Sequence, residues 1–216
     1  MSKKSITKNY IYHMFFEILK IVVPLITTPY LSRVLGAENI GIYSYTISIT
    51  TYFILFGSLG VAMYGQREIA YLQENKYERS KTFWEILIMR FITLGISLLI
   101  FYIGFVSNGQ YSMYYKILLL EIIANSIDIS WLFQGLEEFK KTVLRNSLVK
   151  IISVICIFVF VKTQNDLVQY FLIYVISTLL GNVSLWMYLP KYIEKVKFKE
   201  LKIFRHFKPT IGLFIP

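Results

Sequence analysis

Six apolar runs of about membrane-spanning length dominate this chain, at roughly residues 11–34, 41–63, 84–106, 114–133, 147–162 and 168–189. A hydrocarbon core of about 30 Å requires about 20 mainly apolar residues per helix. Lipid cannot hydrogen-bond the backbone, so each run must satisfy its own amides and carbonyls and is read as a helix. Composition agrees: of 216 residues, 56% are hydrophobic and only 17% charged, with a mean hydropathy of +0.54. These values exclude an ordinary soluble core. The expected fold class is an all-α polytopic membrane protein.

The net charge of +10 would suit nucleic acid only if the basic residues shared one water-facing surface. They are instead sorted by connection. Lys3, Lys4 and Lys8 precede the first run, Arg67, Lys76, Arg79 and Lys81 follow the second, and Lys140, Lys141, Arg145 and Lys150 follow the fourth. Seven more lie between Lys191 and Lys208. The alternate connections hold Arg33 and Lys162. Short loops rich in lysine and arginine stay cytoplasmic, so the N-terminus is expected on the cytoplasmic side of the membrane and no nucleic-acid partner is expected. The first run carries Glu17 and Lys20 and lacks a small-residue cleavage pattern, unlike a signal peptide. Cys156 is the single cysteine, so no intrachain disulfide can form.

The expected organisation is a six-span lobe over residues 1–189, a basic amphipathic cytoplasmic connection over 190–208, and the start of a seventh span over 209–216. In the connection, Tyr192, Val196, Ile203 and Phe207 recur at helical spacing, which predicts an interfacial helix. Gln134–Asn146 reads as a second, shorter interfacial connection. The run after Pro209 stops at Pro216, so a fragment of a longer transporter is expected.

Chemistry concentrates on polar residues inside spans, where each charge is costly and calls for a partner or a wet cavity. Glu17 and Lys20 share a face at i, i+3. Pro24 and Pro29 follow and free the carbonyls of Lys20 and Leu25, as in the discontinuous helices that border transport sites. A self-neutralised packing pair is the plainer reading. Glu121, Asn125 and Asp128 form one stripe at i, i+4 and i+7 on the fourth span. Arg90 lies at a similar depth, within reach of Asp128 or Glu17, either as a structural ion pair or as a cationic docking point beside Lys20. Glu85 and Lys116 sit near span ends and can snorkel. Trp84, Trp131 and Trp186 suit an interfacial aromatic belt. His13 falls at the start of the first span and His206 in the basic connection. No paired-histidine helix, phosphate loop or nucleophile elbow occurs, so neither an enzyme nor a cofactor is expected.

Four segments then carry a resemblance: Asn9 to Tyr12, PLITTPYLSRVLGAENIGIYSY from Pro24, LFGSLGVAMYGQREIA from Leu55, and FQGLEEFK from Phe133. In this order and spacing the chain resembles the bacterial polysaccharide repeat-unit flippases (Wzx type), within the larger group that includes multidrug and toxin extruders. The resemblance covers essentially the whole chain but only the first half of such a transporter. It implies one six-helix lobe facing a second, missing C-terminal lobe across a cavity. It further implies movement of undecaprenyl-diphosphate-linked oligosaccharide between leaflets for capsule, exopolysaccharide or O-antigen synthesis, beside a polymerase and export machinery. A cation-coupled drug extruder using protons or sodium, or an inactive membrane scaffold, are the alternatives.

Overall fold

A computed structural model describes residues 3–107 and 110–214, with the side chains of 3–13, 16 and 214 outside the description. The expectation for His13 therefore lies outside the described residues. Among those described, the chain is helical with no strand. The helices are α1 (Lys3–Ser58), α2 (Val61–Tyr71), α3 (Lys76–Phe101), α4 (Ser112–Ser126), α5 (Ser130–Gly135), α6 (Phe139–Phe160), α7 (Leu167–Trp186), α8 (Leu189–Tyr192) and α9 (Phe207–Phe214). Five segments among the described residues are long and apolar enough to cross a bilayer: Glu17–Tyr71, Lys76–Val106, Ser112–Gly135, Phe139–Phe160 and Gln164–Tyr192. This is a multi-pass membrane protein.

The first two expected runs are joined. Residues 33–39 form no open loop, and α1 is two helices meeting at Gly36, with φ 81° and ψ 166°. Only glycine takes such a φ cheaply, and Gln164 Nε2 lies 3.4 Å from where a Cβ would stand. The break was expected at Pro24 and Pro29, yet Gly36 alone inside α1 has non-helical dihedrals. Proline's fixed φ is itself helical, so Pro24 and Pro29 each remove a hydrogen bond while the dihedrals there stay helical.

Other boundaries move for local reasons. The second run ends at Ser58, where Leu59 and Gly60 both have positive φ, and α2 starts afresh. The fifth run, shortest in the sequence, is the 22-residue α6. It absorbs Phe139 to Asn146, so that stretch is the start of a membrane-spanning helix and not a separate connection, with Thr142 and Val143 buried and Lys140 and Leu144 exposed. Nor does a continuous helix run from Tyr192 to Phe207. Tyr192 and Ile193 are buried and the chain proceeds through extended residues and two 3-10 turns, Phe198–Glu200 and Ile203–His206. Side chains of α3 replace the missing helical acceptors: Glu194 N donates to Ser80 Oγ at 3.0 Å and Lys202 N to Glu85 Oε1 at 2.6 Å.

Charge-poor and charge-rich connections gather at opposite ends. At one end Tyr30 Oη donates to Val161 O at 2.7 Å and Asn39 Nδ2 to Gln164 O at 2.8 Å. At the other, Arg79 donates to Gln73 O at 2.6 Å and to Tyr192 O at 2.9 Å, and Lys141 bonds Glu138 and Tyr192. Each end has its own core. Leu35, Phe101, Leu118 and Phe171 centre the first, and Val61, Phe83, Trp131 and Phe133 the second. Trp131 is therefore a core residue and not part of an interfacial belt, stacked on Phe83 with ring centroids 5.4 Å apart.

Two of the sequence motifs pack on each other in the charge-rich core. A Cβ on Gly65 would fall 2.6 Å from the Trp131 ring, and one on Gly135 would fall 2.6 Å from the carbonyl oxygen of Gln66. Gln73 Nε2 closes the contact by donating to Gly135 O at 2.8 Å. The Gly135 clash is with backbone, so relief requires the two helices to separate. Gly135→Ala should destabilise the protein by about 1–3 kcal/mol, whereas Gly41→Ala, which meets nothing within 4 Å, should be neutral or stabilising by up to about 1 kcal/mol. Thermal unfolding in detergent micelles checks both; equal midpoints would contradict the packing.

Candidate functional site

The expected site residues divide into an exposed set and an interior set. The exposed set lies on the N-terminal arm of α1, alongside α6, where Glu17 and Lys20 come within electrostatic reach of Lys150. Among described side chains from Met14 to Ile26 none is buried, and only from Thr27 do Thr27, Leu31 and Leu35 enter the core. Glu17, Lys20, Pro24 and Thr28 recur at i, i+3, i+7 and i+11, which brings them to one side of this helix. Ile18, Ile21 and Leu25 beside them are apolar and 50–71% exposed. Lys20 Nζ lies 2.6 Å from Glu17 Oε1. Both side chains are nearly half exposed. The pair neutralises itself at little cost in water, but on an apolar arm it demands polar surroundings. The prolines add two carbonyls without helical partners on this arm, those of Lys20 and Leu25.

The interior set surrounds the break between α4 and α5. The expected stripe ends at Asn125, because α4 stops at Ser126 and Asp128 turns away. Asp128 Oδ1 accepts from Ser130 N at 2.9 Å and Oδ2 from Ser130 Oγ at 3.0 Å, the side-chain-to-backbone bonding by which aspartate interrupts helices. Its nearest cation is Arg145, at 3.9 Å. Arg90 makes no direct ion pair with Asp128 among the described residues, though that carboxylate acts on it at longer range; its Nε donates to the carbonyl of Asn125 at 3.0 Å, capping the end of α4 with a cation where the helix dipole is negative. Asn182 of α7 donates to Ala124 O at 2.7 Å and accepts from Arg145 Nη1 at 3.1 Å. Trp186 Nε1 donates to Ile127 O at 2.8 Å. Glu121 is buried and accepts from Asn125 Nδ2 at 3.2 Å. This cluster closes a broken helix inside the bundle.

Sequence reasoning missed Arg145, Asn182 and Trp186 as partners of that break. An amide within the apolar run 168–189 was the available signal for Asn182. It also misjudged Glu85, which does not snorkel but is 0% exposed. Its Oε1 accepts from Lys202 N, and its Oε2 lies 2.6 Å from Arg205 Nη2 and 2.7 Å from His206 Nε2. His206 Nδ1 meets Tyr64 Oη at 2.7 Å. One carboxylate of α3 thus anchors the whole segment that leads to α9.

Two outcomes follow from these contacts. Arg90→Leu and Asn182→Leu each strip a cap from α4 and should each lower stability by about 1–3 kcal/mol, with the double variant costing less than the sum because both serve one break. Thermal unfolding of the four proteins in detergent checks this. Burial pushes the His206 imidazole below its ordinary range, against the opposing pull of Glu85. The unfolded segment then binds more protons than the folded one, so stability rises with pH across the window between the depressed value and about 6.5. The protection factors of amides over residues 202–210, exchange rates taken relative to the unstructured rate at the same pH, should fall as pH falls from 7.5 to 5.5, and His206→Gln should flatten that dependence.

The sequence matches the family of polysaccharide biosynthesis proteins over residues 6–215. Two similar proteins carry the name "Putative O-antigen transporter". The one from Escherichia coli (strain K12) is 28% identical over 169 residues, 77% of this chain and 41% of that protein. The one from Shigella dysenteriae is 28% identical over 147 residues, 67% of this chain and 37% of that protein. The chain therefore matches less than half the length of either relative. No solved structure matches it. A family match over nearly the entire chain, on an all-helical apolar bundle, assigns it: the chain belongs to the polysaccharide biosynthesis protein family, whose members resemble the Wzx-type flippases.

Proposed function

We propose that this chain forms one lobe of a flippase that carries undecaprenyl-diphosphate-linked oligosaccharide from the inner to the outer leaflet. Family membership and the names of the two O-antigen-transporter relatives support the class. The observation that carries the reading further is the Glu17–Lys20–Pro24–Thr28 stripe on the exposed arm of α1. Arg90 Nε, Asn182 and Trp186 are engaged in closing the α4–α5 break, although Arg90 Nη1 and Glu121 Oε2 are buried without a hydrogen-bond partner among the described residues, so this cluster serves the fold first. The α1 stripe faces outward, and a polar stripe on an apolar helix is stable where it lines water. The substrate route then runs alongside α1, between this lobe and a second one, and not through this bundle.

On this reading the chain crosses the membrane six times, with the N-terminus cytoplasmic. Glu17–Tyr71 holds 55 residues, about 80 Å of helix at 1.5 Å per residue, more than twice the hydrocarbon thickness of about 30 Å. A reversal at Gly36 resolves that excess, and it lies beside the charge-poor turn at Gln164. The positive-inside rule then assigns the charge-rich end to the cytoplasm. A sugar-bearing diphosphate requires a hydrated cationic path while its lipid tail stays in the bilayer, and Lys20 would supply the charge.

The test uses a complete two-lobe protein containing this sequence. Lys20→Gln should reduce flipping of lipid-linked oligosaccharide in proteoliposomes by about tenfold or more, the loss of one charge-assisted hydrogen bond, with the amount of folded protein unchanged. Arg90→Gln should instead reduce the amount of folded protein and spare the rate per folded molecule. An unaltered rate in Lys20→Gln would count against the α1 route.

A further inference from the structure

A groove of about 530 Å³ runs between α6 and α7, away from the residues discussed above as a substrate route. We propose that it is a docking site for one anionic phospholipid. Its walls are Leu144, Leu148 and Ile152 of α6 and Leu180 and Met187 of α7, each more than half exposed. Gly181 forms part of the floor. A Cβ there would meet Val149 Cγ2 at 3.0 Å and Arg145 Nη1 at 3.4 Å, so the glycine lets α6 and α7 approach closely beneath the groove.

One end of the groove is charged, with Glu138, Lys140, Lys141 and Arg145 in its lining. Most of these charges are already engaged. Lys141 bonds Glu138 at 2.9 Å and also Tyr192, and its ammonium lies over the Tyr192 ring, 4.5 Å from the centroid. Arg145 is held by Asn182 at 3.1 Å and lies 3.9 Å from Asp128. Lys140 is exposed and has no ion-pair or hydrogen-bond partner among the described residues. One uncommitted cation matches the single negative charge of a phosphodiester better than the greater charge of a diphosphate.

Length points the same way. Eleven residues separate Lys141 from Ile152, about 16 Å along the helix, and half of a hydrocarbon core of about 30 Å is about 15 Å. The groove therefore accommodates a chain that spans one leaflet, with the phosphate at the level where lysines meet lipid headgroups. A long polyprenyl carrier would overrun it. The site requires only the membrane-spanning bundle and is independent of any flipping activity.

The test places the full chain in phosphatidylcholine nanodiscs doped with a phosphatidylglycerol probe bearing a photoreactive group in one acyl chain. Crosslinks should concentrate on residues 148–152 and 180–187. Lys140→Gln should reduce them about five-fold, the attraction one surface lysine contributes, while Lys197→Gln, outside the groove, should leave them unchanged. Equal labelling by a phosphatidylcholine probe, or labelling spread over every exposed helix face, would overturn the proposal. Displacement by equimolar undecaprenyl phosphate would also overturn it, by giving the groove to the carrier lipid.

Discussion

Hydrocarbon offers the backbone no hydrogen bonds, and the places where this chain stops being a regular helix show how that constraint is met. The α4–α5 break frees the carbonyls of Ala124, Asn125 and Ile127, and three different side chains, Asn182, Arg90 and Trp186, reach in from α7 and α3 to satisfy them. The extended chain after α8 finds its acceptors on α3, at Ser80 and Glu85. At Gly36 the opposite solution is used: the backbone turns at a residue without a side chain, and Asn39 stitches the turn to Gln164. Remove these partners and the helices lose the fixed points from which their packing is set.

This has a direct bearing on function. Polar residues in a membrane protein invite assignment to a transport route, yet much of the interior polarity here is spent on keeping broken helices satisfied. Arg90 is the clearest case, a buried guanidinium that caps a helix through its Nε. What the capping requirement does not use lies on the N-terminal arm of α1, where Glu17 and Lys20 sit among exposed isoleucines and leucines. The separation of structural from outward-facing polarity is what narrows the search for a substrate path.

The gross plan was legible in the sequence. Apolar length located the helices, and alternating charge located two ends that the structure does keep apart. Two quoted motifs, around Gly65 and Gly135, are close-packed against each other, so their small residues were informative even though their mutual contact was not. What could not be read depends on tertiary partners. Glu85 at a span end looks free to snorkel until Lys202, Arg205 and His206 fold back onto it from more than a hundred residues away. Trp131 looks interfacial until Gly65 lets it into the core. The prolines drew the break toward themselves, whereas the residue that can adopt φ 81° is Gly36; a proline weakens a helix, but only a glycine makes this turn cheap.

The central claim is that water and substrate meet this lobe along one side of the α1 arm. Single cysteines placed from Glu17 to Thr28 in a complete protein, with Cys156 replaced by serine, and labelled in membranes with a charged thiol reagent, test it most directly. The account predicts labelling at positions 17, 20, 24 and 28 and protection at 18, 21 and 25. Uniform protection across the arm, or labelling centred on 18, 21 and 25, would contradict it.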